Sequence, residues 1–185
     1  MAWEFDKSHT SIGFSAKHMV VATVRGRFES FDGIVDLNEP NPADSKVDVT
    51  IDATSVNTND PRRDGHLKSP DFFDVEKYPT ITYKSTKVEK LSDEKYRVLG
   101  NLTVKDVTRE VPLDVTYEGE SRGMKGERHA GFTITTTINR KEFELNWNVA
   151  LEAGGWLVGD TIKIEIDAEV FEPAEVTAET ATAQA

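Results

Sequence analysis

Four charged side chains lie together in the segment from Asn57 to Ile81, and they have the clearest capacity for chemistry. Within five positions the chain carries Arg62, Arg63, Asp64 and His66. Guanidinium groups form paired hydrogen bonds with phosphate and carboxylate groups, so the two arginines could receive an anionic head group. Internal ion pairs that only anchor the segment explain the same residues equally well.

A hydrolytic role for Asp64 and His66 is a further alternative. Such a role needs a nucleophile or an activated water held by an oriented base. The chain contains no G-x-S-x-G or H-E-x-x-H pattern, and Gly154-Gly155 lacks the strand and helix that flank a phosphate-binding glycine loop. We therefore predict that the protein is not an enzyme and has no catalytic residue.

The candidate metal ligands are the four histidines, His9, His18, His66 and His129. A zinc site needs three or four ligands that converge, and no two of these histidines have the i, i+4 spacing of a helical ligand pair. We predict no metal site and no cofactor. His9 and His18 are instead expected to cap turns or bond to the backbone near one end of the fold, where His18 could also contact a head group.

The segment that carries the charged cluster does not have the pattern of a strand. Asp60-Pro61 has the features of a helix start, with an aspartate as N-cap and a proline at the first helical position. Ser69-Pro70-Asp71 can open a second turn, which carries Phe72 and Phe73. We predict a short helical insertion near residues 60–74, with these two rings as apolar plugs at the mouth of a barrel.

Most of the remaining chain alternates between polar and apolar residues, which is the pattern of half-buried β-strands. The clearest examples are Lys46 to Ala53 and Thr161 to Phe171. About eight such strands, joined mainly by short turns, fit an antiparallel sandwich or a closed barrel, and closure removes exposed edges. Pro112 places its strand at an edge, or its missing N–H at a position without a ladder bond. An exposed edge near Pro112 would let two copies pair as a homodimer.

The inward faces of these strands form an apolar set of medium and small side chains. From the pattern alone an ordinary packed core is favoured, although an eight-stranded barrel can either be filled by its side chains or hold one slim ligand. The inward set consists of Phe14, Ala16, Phe28, Ile81, Tyr83, Leu102, Val104, Phe132, Ile134, Ile164, Ile166 and Ala168.

Length and composition limit the remaining possibilities. A chain of 185 residues without cysteine is expected to form one disulfide-free domain, here 1–171, followed by a disordered tail at 172–185 without apolar periodicity. The net charge of −11 argues against nucleic acid as a partner. No apolar run is long enough for membrane insertion and no signal peptide is visible. We therefore expect a cytoplasmic protein, or a periplasmic or extracellular one whose export signal was removed.

Several short motifs, taken in order, resemble the YceI-like family of bacterial lipid-binding proteins. The match runs from about Trp3 to Phe171. Its motifs are Asp6-x-x-His9-x-x-Ile12-x-Phe14, His18-Met19, Val24-x-Gly26-x-Phe28-x-x-Phe31-x-Gly33, Arg63-Asp64-x-His66-Leu67-x-Ser69-x-Asp71-Phe72-Phe73-Asp74, Tyr78-Pro79-x-Ile81, Gly100-x-Leu102-Thr103-Val104, Asn139-Arg140-x-x-Phe143 and Val158-Gly159-Asp160-x-Ile162-x-Ile164-x-Ile166. No single motif is specific, and the resemblance rests on their number and order.

The resemblance implies an all-β, lipocalin-like antiparallel barrel that sequesters or carries a long isoprenoid chain, a quinone or a similar amphiphile. It favours a lipid-filled lumen over a packed core, with the inward set as its wall. The residues of the mouth would be Arg62, Arg63, His66, Phe72, Phe73 and His18. An enzyme acting on a lipid head group and a barrel that only binds another protein are the alternatives that the sequence leaves open.

Overall fold

Eleven β-strands and one α-helix make up most of residues 2–172, the part of the chain that this computed structural model describes. The strands are β1 (Ala2–Phe5), β2 (Ser11–His18), β3 (Ala22–Phe28), β4 (Phe31–Asp36), β5 (Lys46–Asp52), β6 (Val56–Asn57), β7 (Thr80–Lys90), β8 (Lys95–Val104), β9 (Val107–Arg122), β10 (Arg128–Asn139) and β11 (Val158–Glu172). The helix α1 spans Pro61–Lys68, and short 3-10 turns cover Pro42–Asp44, Ala53–Ser55 and Arg140–Phe143. Within this range no helix has the length and apolar character needed to cross a membrane.

The sheet closes because β11 is paired along both of its edges. One edge pairs with β10, while the other pairs with β2 and then, at Val170 and Phe171, with β1. β1 pairs with β4 and β2 pairs with β3, so β1 and β2 share one position of the ring and β3 and β4 share the next. The strands β5, β7, β8, β9, β10 and β11 complete a closed antiparallel barrel with eight positions. The predicted all-β, lipocalin-like barrel of about eight strands with a short helical insertion is confirmed.

Alternation along the long strands decides which side chains point inward. Successive residues of a strand face opposite sides of the sheet. In the pairing of β10 with β11, Phe132 lies opposite Ala168 and Ile134 lies opposite Ile166, and all four line the interior. Asp167, between two of them, is exposed on the outer face. One face of each strand therefore belongs to the lumen.

Pro112 lies within β9, which has a partner strand on each side. It pairs with Leu99 of β8, whereas the register between β9 and β10 ends at Asp114 and Thr135. The carbonyl of Pro112 accepts a hydrogen bond from the hydroxyl of Thr136 at 2.7 Å, so its nitrogen faces the opening between β9 and β10. The missing N–H of Pro112 therefore lies at a position without a ladder bond, which is the second of the two arrangements expected from the sequence. Because β9 has a partner strand along each edge, the reason for predicting a homodimer is removed.

The last strand extends one residue into the segment that the sequence assigns to the tail. Glu172 was assigned to the tail, but it is the last residue of β11 and accepts a hydrogen bond from Nη1 of Arg128 at 3.2 Å. This ion pair ties the end of β11 to the start of β10. The rest of the predicted tail, 173–185, lies outside the described residues.

Candidate functional site

The interior of the barrel is a cavity of about 1070 Å³. Packed protein interiors contain few voids larger than a water molecule, so this volume is not a packing defect. It lies just above the range of about 300–1,000 Å³ that is usual for ligand pockets. All twelve residues of the predicted inward set line it. The interior is therefore a lumen and not the filled core that the alternation alone favours, while ligand contact by these residues stays a prediction.

Polar groups inside the barrel find partners within the protein. The hydroxyl of Tyr83 donates to the carbonyl oxygens of Val98 and Val111, which lie 3.2 and 3.1 Å away. Burial raises the pKa of Tyr83, so its phenol stays neutral. Throughout residues 2–172, no buried side-chain nitrogen or oxygen lacks a hydrogen-bond partner. The lining of the lumen consists mostly of apolar side chains, which hold water weakly.

Helix α1 covers one end of the lumen, which we call the mouth. Asp60 caps the helix, because its Oδ1 accepts hydrogen bonds from the backbone N–H groups of Arg62 and Arg63 at 3.0 and 3.1 Å. Both bonds lower the pKa of Asp60, and the bond from Arg63 has the larger effect. Pro61 occupies the first turn, where its missing N–H costs nothing. The cap and proline predicted from the sequence therefore set the start of the helix.

The turn after α1 places two aromatic rings in the mouth. The ring centroid of Phe73 lies 5.8 Å from that of Phe28 in the lumen wall, and that of Phe72 lies 5.6 Å from Trp147. The ring of His66 makes edge contacts with Phe72 at 5.1 Å and with Trp147 at 4.5 Å. Both phenylalanines line the cavity, where the sequence predicts plugs. Trp147 was not predicted as a site residue, because the segment that carries it has no regular periodicity.

Arg63 and Asp64 anchor the insertion to the barrel. Nε and Nη2 of Arg63 donate to the hydroxyl and the carbonyl of the buried Thr58 at 2.8 and 2.9 Å. Asp64 accepts from the backbone N–H and the hydroxyl of Thr58 at 2.8 and 2.6 Å. Asp60 adds an ion pair with Arg63 at 3.7 Å. For these two residues the geometry favours the anchoring alternative.

The remaining predicted residues of the mouth have different surroundings. His66 shares a hydrogen bond with Asp71 at 2.8 Å, whereas Asp64 bonds to Thr58, so these two candidate residues have separate partners. Arg62 is exposed at the rim of the cavity and makes no hydrogen bond or ion pair with its side chain in the range 2–172. His18, at the end of β2, also lines the rim. Arg62 and His18 are therefore the groups best placed to meet a head group.

Arg140 is a buried cation beside the mouth that was not predicted to have a role. Its guanidinium donates to the carbonyls of Leu145, Gly159 (3.0 Å) and Trp147 (2.9 Å), and it lies 3.4 Å from Asp160. Burial lowers the pKa of Arg140, and the nearby Asp160 opposes that change. These bonds hold the segment between the 3-10 turn and β11. The motif Asn139-Arg140-x-x-Phe143 was the sequence signal that could have revealed it.

The opposite end of the lumen is crossed by a charged cluster around Arg128. Its guanidinium forms ion pairs with Glu39 at 2.8 Å, Glu120 at 3.0 Å and Glu172 at 3.2 Å, and it lies 5.2 Å from the ring centre of Trp3. Hydrogen bonds to Glu120 and Glu39 raise the pKa of Arg128. Glu39 and Glu120 line the cavity. The cluster therefore closes this end with paired charges, while the mouth carries the exposed Arg62.

A second polar group lies on the outer wall, away from the lumen. Ligand atoms of Asp6, His9 and Glu169 lie within 4.8 Å of one another. Nδ1 of His9 is 2.9 Å from Asp6, and Nδ1 of His129 is 2.7 Å from Glu169. Spacing did not predict this group because Glu169 is distant in sequence. Asp6 accepts the backbone N–H groups of Ser8 and His9, so this aspartate and not the ring of His9 caps the turn. The absence of a metal stays a prediction.

The sequence of this chain is similar to that of a known protein family. A family profile described as the YceI-like domain matches residues 3–170. A UPF0312 protein of Staphylococcus aureus is 38% identical over 166 residues, which cover 89% of this chain and 94% of that protein. The sequence match thus spans nearly the whole barrel.

Solved structures have the same fold. The YCEI protein of Campylobacter jejuni superposes with a TM-score of 0.74 at 34% identity, covering 91% of this chain and 96% of that one. BcnA of Burkholderia cenocepacia gives 0.77 at 23% identity, covering 90% and 99%. A polyisoprenoid-binding domain from Saccharophagus degradans, implicated in plant cell wall breakdown, gives 0.66 at 14% identity, covering 92% and 98%. The chain belongs to the YceI-like domain family.

Proposed function

We propose that this protein binds and carries a long-chain isoprenoid-type lipid in its lumen, without catalysis. A polyprenyl compound, a quinone or a similar amphiphile has the required shape. The observation that carries the proposal is the apolar cavity of about 1070 Å³, which extends from the mouth to the charged cluster around Arg128. Family membership and the polyisoprenoid-binding neighbour support the same ligand class.

Burial of the tail supplies the binding free energy. Each CH₂-sized unit that leaves water contributes about 0.8 kcal/mol, so a long tail binds tightly without a strong polar contact. Because the lining is mostly apolar, the tail displaces water that few polar groups hold. Specificity for tail length then follows from the dimensions of the lumen, and the head group stays at the mouth.

Extraction of the purified protein tests the proposal. Protein purified without detergent should release a near-stoichiometric prenyl lipid, quinone or similar long-chain amphiphile into organic solvent, which mass spectrometry identifies. Delipidated protein should take up an added polyprenyl compound. A clean extract together with no uptake of added polyprenyl compounds would contradict the carrier function.

The mouth provides a second test, which concerns the head group. Arg62 is exposed at the rim, so Arg62→Gln should weaken binding of a prenyl diphosphate about tenfold and leave a prenyl alcohol unaffected. Arg97→Gln is the matched control, because Arg97 pairs with Asp114 on the exposed outer wall. Arg63→Gln should instead lower stability, since it removes the anchor on Thr58. Equal losses for both ligands in Arg62→Gln would exclude a contact with an anionic head group.

A further inference from the structure

Several large apolar side chains are exposed together beside the mouth. Eight large apolar side chains are strongly exposed in residues 2–172, and five of them lie on two adjoining segments. One segment is the turn between β2 and β3, where Val20 and Val21 are 67% and 84% exposed. The other precedes β11 and exposes 55% of Trp156. We call Met19, Val20, Val21, Val149 and Trp156 the rim patch.

The two segments are bonded together, so the rim patch is one surface. The backbone N–H of Met19 donates to the carbonyl of Leu157 at 2.9 Å, and the N–H of Leu157 donates to the carbonyl of Val149 at 2.9 Å. Ala150 and Trp156 form a β-bridge. Scattered single apolar residues are ordinary on protein surfaces, whereas a contiguous group of this kind marks an interaction site.

The rim patch is continuous with the wall of the lumen. His18, which precedes Met19 in the chain, lines the cavity, and so does Leu157, which follows Trp156. Trp147 opens the second segment and packs against His66 of α1 with a centroid distance of 4.5 Å. A lipid tail that leaves the mouth on this side therefore meets exposed apolar side chains before it meets water.

The backbone of the turn holds these side chains outward at a cost. Met19 has a φ of 50° and Val20 a φ of 68°, both in the left-handed region. A β-branched residue is a genuine outlier there, and glycine or asparagine would fit with less strain. Packing does not explain the valine, because its side chain is mostly exposed. Strain of this kind in a structured turn points to a functional surface.

We infer that the rim patch docks on the surface of a lipid bilayer, from which the protein loads and releases its ligand; this rests on the proposed function. A tail that crosses water loses about 0.8 kcal/mol per CH₂-sized unit, and direct contact between mouth and bilayer removes this barrier. Valine and methionine enter the acyl region, and tryptophan favours the interface between lipid and water. The net charge of −11 opposes an anionic surface, so the partner is a zwitterionic bilayer held by apolar contact.

Vesicle flotation with paired variants tests the inference. Val20→Asp/Val21→Asp places charges on the rim patch, and aspartate tolerates the left-handed backbone at position 20, so the fold is retained. Leu91→Asp/Met124→Asp makes the same change in charge at two exposed apolar positions in the loops after β7 and β9. The probes are phosphatidylcholine vesicles that contain a fluorescent polyprenyl lipid.

The two double variants should differ in vesicle association and in lipid transfer. The rim variant should lose vesicle association and intervesicle lipid transfer by at least about tenfold, while the control matches the wild type. Binding of a short prenyl alcohol in vesicle-free solution should change less than about twofold in either variant, because the lumen is untouched. Increasing salt should weaken flotation little, since charge does not drive it.

Three results would overturn the inference. The first is a wild-type protein that does not float with phosphatidylcholine vesicles, and the second is equal loss of flotation in both double variants. The third is a wild-type dimer that the rim variant converts to monomers, which would assign the patch to contact between two copies. Failure of the proposed function is distinguishable, because it abolishes prenyl alcohol binding in solution, where no vesicle is present.

Discussion

The phenol ring of Tyr83 lies directly over Gly100 in the neighbouring strand. A Cβ atom on Gly100 would lie 2.4 Å from Cζ of Tyr83 and 2.7 Å from the carbonyl oxygen of Lys84. The glycine thus lets the ring cross β8 and reach the carbonyls of Val98 and Val111. One small residue fixes the position of a large aromatic side chain in the lumen wall.

Gly100→Ala should therefore destabilise the barrel. The added methyl group overpacks the site against both a ring and a backbone carbonyl, which costs about 1–3 kcal/mol. Thermal unfolding should show a fall of roughly 2–4 °C per kcal/mol for a domain of this length. Gly131→Ala in β10 is the control, because its Cβ would meet only Cβ of Glu118 at 3.5 Å. Equal melting temperatures for the two variants would show that Tyr83 moves aside freely.

Arg140→Lys should also lower stability, through lost hydrogen bonds. The guanidinium donates hydrogen bonds to three backbone carbonyls at once, and the single ammonium group of lysine cannot reproduce that planar arrangement of donors. Hydrogen bonds to a charged group contribute about 1.5–3 kcal/mol each, so denaturant unfolding should show a loss above about 2 kcal/mol. Limited proteolysis should cut between 145 and 157 more readily, since Arg140 holds this segment.

An exposed arginine provides the comparison for Arg140. Arg97 pairs with Asp114 at 3.1 Å on the outer wall, where both side chains are about half exposed. Exposed pairs contribute about 0.2–1 kcal/mol, so Arg97→Lys should have a small effect. If both lysine variants lost the same stability, the buried fork of Arg140 would have no special role.

The barrel itself could be predicted because alternation at period two survives in nearly every strand. Inward residues such as Phe132 and Ala168 follow directly from that period, and they line the lumen. Whether inward side chains fill a barrel depends on the barrel's diameter, which follows from the number and tilt of all its strands and cannot be read from one strand. The prediction of a cavity therefore rested on the family resemblance and not on the alternation of polar and apolar residues.

The contacts that close the two ends could not be predicted for a different reason. Arg128 meets Glu39 through closure of the barrel, and Trp147 meets His66 through an irregular segment held by Arg140. Neither contact leaves a periodic signal in the sequence. Local chemistry was more informative, since Asp60-Pro61 gave the correct helix start. Anchoring by Arg63 required the position of Thr58, which only the fold supplies.

The pair of Asp6 and His9 should give stability a dependence on pH. The hydrogen bond between them lowers the pKa of Asp6 from 3.8 and raises that of His9 from 6.5. The contribution of Asp6 is present above pH 3.8 and is lost as pH falls through its lowered pKa. The contribution of His9 is present below pH 6.5 and is lost as pH rises through its raised pKa.

Asp6→Asn tests this window, because asparagine still accepts the N–H of Ser8 but carries no charge. The melting temperature of the variant should differ most from the wild type between about pH 4 and 6.5 and converge towards it above the raised pKa of His9. Asp167→Asn, an equal change of charge at an exposed position on the outer face of β11, is the control. A difference that stays constant from pH 5 to 9 would show that His9 is not held in its charged form by Asp6.

Ala168→Phe separates a ligand tunnel from a core that merely contains a void. Ala168 is 7% exposed, lies opposite Phe132 and lines the cavity. In a densely packed core the new ring would overpack and cost about 1–3 kcal/mol. In a tunnel it fills space meant for the lipid tail, so the delipidated variant should keep or gain stability while lipid uptake falls sharply. Asp167→Phe, one residue away on the outer face, should leave uptake unchanged. The measurement pairs the melting temperature of delipidated protein with lipid uptake, and lost stability with unchanged uptake would mean that no tail passes Ala168.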